Sequence, residues 1–131
     1  MLLITAFFAS ILALIYIKLS RNVILLRREH KISLGSGKSK DLEKAIRAQA
    51  NFNEYVPIGL ILLGCLEINN FNQIIIFASG GLLLAGRFMH AKSFLKDEMD
   101  VTLRVNGMKC TFWSLRILAG LNIFAIIMAF I

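Results

Sequence analysis

Four apolar stretches organise the chain. Met1 to Ile17 is uncharged up to Lys18, Tyr55 to Leu66 lies between Glu54 and Glu67, Phe71 to Gly86 stops at Arg87, and Ile117 to Ile131 follows Arg116. Each falls short of the ~20 apolar residues of a full membrane span, so most spans are completed only by taking in charged neighbours. Charges at membrane depth are costly and face a bundle interior or a wet cavity. The pattern predicts an all-α integral membrane four-helix bundle, a single domain over residues 1–131. Its helices exceed the hydrocarbon core, and its polar side chains gather towards one end.

The flanks set boundaries and topology. The first apolar stretch has no basic residues before it and is followed by positive charge, the reverse of a signal peptide, so it reads as a retained first helix. The first connection and its flanks hold Lys18, Arg21, Arg27, Arg28, Lys31, Lys38, Lys40 and Lys44 around a flexible Gly35-Ser36-Gly37. The second connection, Ile68 to Asn72, has no basic residue. In the third, Lys92, Lys96 and Arg104 are diluted by Asp97, Glu98 and Asp100. By the positive-inside rule the first and third connections are cytoplasmic and both termini lie outside the cytoplasm. Asp41 is the expected cap of helix 2, with Glu43 in its first turn; the helix then runs from about Leu42 to about Ile68 with Pro57 inside it. Helix 4 starts near Asp100 or Val101 and continues to the end.

Composition sharpens this picture. Hydrophobic residues are 57% of the chain and mean hydropathy is +0.71, above the soluble range. The net charge of +7 would suggest nucleic acid in a soluble protein. Here the cations adjoin apolar segments without interleaved aromatics, so the expected partner is anionic lipid and no nucleic acid is expected. Cys65, within an apolar run, reads as a small packed hydrophobe, and Cys110 as an inert thiol. The cysteines and histidines lack metal-ligand spacing.

One face of helix 2 carries chemistry. Arg47, Asn51, Glu54 and Tyr55 are spaced i, i+4, i+7, i+8 and share a stripe, with Gln49 off it. Asn51 could bridge Arg47 and Glu54 in a structural network. Alternatively, each charge could hold the opposite charge of an amino-acid-like or peptide-like ligand, Arg being suited to a carboxylate. Arg87, His90 and Phe94 share a face at the end of helix 3. Arg104 opens helix 4, with Thr111 two turns later on the same side, and Arg27 and Arg28 close helix 1. Taken singly, His90 reads as a satisfied helix-end histidine and the two arginines as headgroup contacts. Arg116 is expected to pair within the bundle or with a neighbouring subunit, and Trp113 to pack or to anchor an interface.

The run from Arg47 to Pro57, Arg-Ala-Gln-Ala-Asn-Phe-Asn-Glu-Tyr-Val-Pro, resembles the signature helix of the MAPEG family, the membrane-associated proteins of eicosanoid and glutathione metabolism, especially its leukotriene branch. Gly86-Arg87-Phe88-Met89-His90 with Phe94 is similar to the helix 3 element of its prostaglandin branch. The resemblance implies a homotrimer that binds glutathione as co-substrate between subunits, near the cytoplasmic side. It implies glutathione contacts from Arg47, Asn51, Glu54 and Tyr55 with Gln49 nearby, from Arg87 and His90 on helix 3, and from Arg27. It also implies thiolate stabilisation by Arg104, assisted by Arg28.

The chain departs from the family at Phe94, where a tyrosine hydroxyl is missing, and at Arg104, about one turn from its expected place. Short loops and the Arg104-Val105-Asn106-Gly107 stretch are similar to bacterial members, which implies an inner-membrane location. The implied function is a glutathione-dependent transferase or peroxidase acting on a hydrophobic small-molecule electrophile or lipid hydroperoxide. The alternatives are a non-catalytic binder of lipid or thiol and a purely structural membrane protein.

Overall fold

A computed structural model describes residues 1–94 and 99–130. Within them the chain forms four helices: α1 (Leu3–His30), α2 (Lys40–Ile68), α3 (Gln73–Ser93) and α4 (Val101–Ala129). Lys96, Asp97 and Glu98 of the third connection lie outside the described residues.

Local chemistry accounts for the helix ends. α1 stops where Lys31 turns into the left-handed region at φ 54°, its N–H returning to the carbonyls of Arg27 and Arg28. Arg27, Arg28 and His30 place positive charge on that C-terminal turn, where the helix dipole favours it. α2 begins two residues earlier than the Asp41 cap requires. Ser39 is the cap: its backbone is extended and its Oγ accepts from Leu42 N at 3.2 Å. Asp41 instead joins Glu43 in the first turn, complementing the dipole. Asn72 caps α3 through the N–H groups of Ile74 and Ile75, and Asp100 caps α4 through that of Leu103.

α2 and α3 form the middle of the bundle. α1 packs on both of them from one flank, α4 packs on both from the other, and α1 and α4 do not meet among the described residues. Two core layers result. Leu12, Leu19, Phe52, Val56 and Leu83 form one; Phe8, Leu63, Leu66, Ile76 and Leu118 form the other; Leu60 and Leu84 pack against both.

Polar ties fix the register. Glu67 receives the N–H groups of Ile4 and Thr5 at 2.8 Å each and the Thr5 hydroxyl at 2.7 Å, so the end of α2 caps the start of α1. Ser114 Oγ donates to the Ser79 carbonyl at 2.9 Å, and Asn122 Nδ2 to the Leu62 carbonyl at 3.0 Å.

The outward surface is apolar over much of its length, with Leu14, Ile61, Phe77 and Ile123 each at least half exposed. A soluble monomer would not present so much; here lipid is the solvent. α1, α3 and α4 are each long and apolar enough to cross a membrane. α2 falls short by composition because of its Arg47–Glu54 segment. Cys65 differs from expectation: it is exposed on the outer side of α2 rather than packed within the bundle.

Candidate functional site

The polar side chains singled out by spacing converge where α2, α3 and α4 meet, around Arg87. This side chain is fully buried at 0% exposure. Its Nε and one terminal nitrogen donate to Thr111 Oγ1 at 2.9 and 2.7 Å. That second nitrogen also approaches Met108 Sδ at 3.2 Å. The other donates to Asn51 Oδ1 at 3.0 Å and to the Asn51 carbonyl at 3.4 Å. The guanidinium carbon lies 5.3 Å from the centre of the Tyr55 ring, whose edge contacts Phe112. Arg87 thus ties all three helices together through neutral acceptors and a ring face. Hydrogen bonds to a charged group contribute about 1.5–3 kcal/mol each, which offsets the desolvation of the cation.

Two glycines permit this arrangement. A Cβ on Gly86 would stand 2.7 Å from Thr111 Oγ1 and 2.8 Å from the Gly107 carbonyl. A Cβ on Gly107 would stand 2.7 Å from His90 N and 2.8 Å from the Gly86 carbonyl. Backbone therefore meets backbone between α3 and α4, a device common between membrane helices. The approach brings Thr111 within reach of Arg87, and the Thr111 hydroxyl completes its own bonding by donating to the Gly107 carbonyl at 2.8 Å.

Of the two arrangements open to the α2 stripe, the internal bridge does not form. Asn51 does not join Arg47 to Glu54; its side chain is taken by Arg87. Arg47 and Glu54 are both exposed, and among the described residues neither has a hydrogen-bond or ion-pair partner. The physical reason is that α3 packs closely on α2, with Gly59 against Leu83, so Asn51 and Tyr55 turn inward to Arg87 while Arg47 and Glu54 stay outside. Gln49, off the stripe, faces α1 and donates to the Tyr16 hydroxyl at 3.1 Å.

The end of α3 carries a second group. His90 is buried, its ring 5.2 Å from Phe94, and Arg104 lies over the other partner, 5.3 Å from the Phe94 centre. Arg104 is exposed and touches Met99 Sδ at 3.8 Å. The arginines that close α1 diverge. Arg27 donates to the carbonyls of Ser33 and Gly35 at 3.2 and 2.9 Å and so clamps the first connection. Arg28 is exposed and unpaired among the described residues. Among the described residues Arg116 pairs with no acid; it lies over Trp113 on the exposed side of α4.

The structure therefore brings Asn51, Tyr55, Arg87 and Thr111 together, sets His90, Phe94 and Arg104 beside them, and leaves Arg47, Glu54 and Arg28 open. Spacing from Arg104 places Thr111 on this side of α4, but its role as chief acceptor and the presence of Met108 carried little sequence signal; Gly107, one turn before Thr111, is the clue that could have found them.

A model of the MAPEG family matches residues 5–124. The chain is also similar to the inner membrane protein YecN of Escherichia coli (strain K12), 31% identical over 121 residues that cover 92% of this chain and 91% of that protein. YecN of the O6:H1 strain is similar to the same extent. The four-helix membrane bundle, the α2 motif and the family match agree, and the chain belongs to the MAPEG family.

Proposed function

We propose that this protein binds reduced glutathione on the open face of α2 and uses it as a transferase or peroxidase towards hydrophobic electrophiles or lipid hydroperoxides. The observation that carries the reading is the contrast within one stripe. Asn51 and Arg87 satisfy each other internally, whereas Arg47 and Glu54 stand exposed with opposite charges and no partner. Seven residues of helix separate them by about 10.5 Å, and an extended tripeptide spans about 10 Å. Arg47 suits a terminal carboxylate and Glu54 the ammonium. Arg104 and Arg28, both exposed, are the cations assigned to lower the pKa of the thiol. Because these groups point outward from one subunit, a homotrimer in which a second copy closes the site fits them. The inner-membrane relative and the cations of the first connection favour a bacterial inner-membrane protein with both termini outside the cytoplasm.

The test is calorimetric titration of reduced glutathione into the detergent-purified protein. Saturable binding that disappears in Arg47→Ala, with thermal stability unchanged, is the expected result. A folded protein that takes up no glutathione at millimolar concentration removes the proposal.

One observation favours a second reading. Arg104 rests on Phe94, which has no hydroxyl to complete a thiol-activating group, as expected of a non-catalytic binder. Glutathione binding with no turnover of chloronitrobenzene electrophiles or of fatty-acid hydroperoxides selects that reading.

A further inference from the structure

The outer face of α1 changes character along its length. Leu3, Phe7, Leu14 and Ile17 are exposed and apolar, and the same stripe then continues through Lys18, Arg21 and Arg28, all exposed. Leu14, Ile17, Lys18, Arg21, Asn22 and Leu25 line one open groove on this face. They follow the spacing i, i+3, i+4, i+7, i+8, i+11, which keeps them on one side of a helix. Neither Lys18 nor Arg21 has a hydrogen-bond or ion-pair partner among the described residues. The acid of this helix, Glu29, lies eight residues beyond Arg21, about 12 Å along the axis, too far to neutralise it.

Two unpaired cations at the inner end of a lipid-length apolar strip match an amphiphile with an anionic head. From Arg21 to Leu14 is about 10.5 Å, within the ~15 Å of one leaflet, half of the ~30 Å hydrocarbon core. A phosphate diester held by Lys18 and Arg21 therefore leaves its acyl chain lying along Ile17 and Leu14. Asn22, at the edge of the groove, offers a neutral donor and acceptor to a polyol headgroup.

We infer that the Lys18–Arg21 groove of α1 is a binding site for an anionic phospholipid of the surrounding leaflet, with phosphate on the two cations and an acyl chain on Leu14 and Ile17. None of the groove residues is among those proposed to hold glutathione; Arg28, two turns beyond Arg21 on the same stripe, is, and it is left unchanged in the test below. Each cation near an anionic lipid contributes about a fivefold preference.

The test uses the full chain reconstituted in phosphatidylcholine vesicles containing trace spin-labelled phosphatidylglycerol or, separately, spin-labelled phosphatidylcholine. The motionally restricted fraction of each is read by electron paramagnetic resonance. The expected result is a severalfold preference for phosphatidylglycerol that Lys18→Gln/Arg21→Gln abolishes. The preference should persist in Lys18→Arg/Arg21→Lys, which keeps the charge, and in Lys31→Gln/Lys38→Gln, which removes the same charge from the first connection. Equal loss in the two charge-removing pairs would show diffuse attraction rather than a site and would overturn the inference. Inorganic phosphate at millimolar concentration should not displace the lipid; displacement shows a phosphate site without acyl recognition and also overturns it. So does dissociation of an oligomer in Lys18→Gln/Arg21→Gln, which would assign the groove to a second copy of the chain.

Discussion

At the residue scale the decisive side chain is Arg87. A buried cation is tolerated only while every donor has an acceptor, and Thr111 supplies two of those bonds. Thr111→Val keeps the shape but leaves those donors facing a methyl group. The expected cost is about 2–4 kcal/mol in unfolding measured in mild detergent. Replacing both partners, Arg87→Met with Thr111→Val, removes the stranded charge, so the pair should be less destabilised than the two single losses summed. Strict additivity would show that the two residues are not coupled as described. How much of this was legible in sequence follows from helix geometry. A period of 3.6 residues places Arg47, Asn51 and Glu54 on one stripe without further information. It cannot say which of them is claimed by α3, because that depends on the axial offset between helices, set by contacts such as Gly59 on Leu83. Of the two arrangements open to Arg47, Asn51 and Glu54, the internal bridge therefore gave way to an Asn51–Arg87 bond, and Arg27 clamps backbone carbonyls of the first connection.

At the element scale the most demanding contact is that of α3 with α4. A Cβ at Gly107 would meet backbone atoms of His90 and Gly86 well inside contact distance, and neither can rotate away. Gly107→Ala should separate the two helices, move Thr111 off Arg87 and destabilise the protein by about 1–3 kcal/mol or more. Gly120 lies on the same helix with nothing within 4 Å of its would-be Cβ. Gly120→Ala should instead be neutral or stabilise by up to about 1 kcal/mol, through helix propensity alone. Thermal unfolding of the two variants side by side checks both signs, and similar destabilisation by both would show that propensity or lipid contact, not close approach, governs α4. Elements were otherwise readable because apolar runs and caps are local. Asp100 begins α4 where a capping residue is expected, and Pro57 sits within α2 without ending it. The start of α2 was not settled locally, since Ser39 and Asp41 are both competent caps. The extended backbone at Ser39, fixed by how the chain leaves the first connection, decides between them.

At the scale of the whole molecule, the uncharged stretch of exposed apolar surface is short for a bilayer. On α1 it runs from Leu3 to the last residue before Lys18, and on α4 from Phe130 to the last residue before Arg116, with exposed Leu25 and Trp113 lying beyond those cations. Each stretch spans fourteen to fifteen residues, about 21 Å, against a hydrocarbon core of ~30 Å. Exposed Lys18 and Arg116 can recover several ångströms by extending towards the headgroups, and helix tilt would worsen the deficit rather than relieve it. Mismatch costs fractions of a kcal/mol per ångström, and several helices share it, so bilayer thickness becomes a term of the same order as a point mutation. The protein should therefore unfold at higher temperature in vesicles of fourteen-carbon phosphatidylcholine than in those of eighteen-carbon lipid. Lys18→Leu/Arg116→Leu, which lengthens the apolar surface on both flanks, should shrink that difference. Stability that rises with lipid length, or a difference untouched by the double substitution, would mean that neither cation faces lipid. The charged inner halves of α1 and α4 would then have to be covered by protein, which would make the subunit as described one part of a larger assembly and place Arg47, Glu54 and Arg28 at its internal seams.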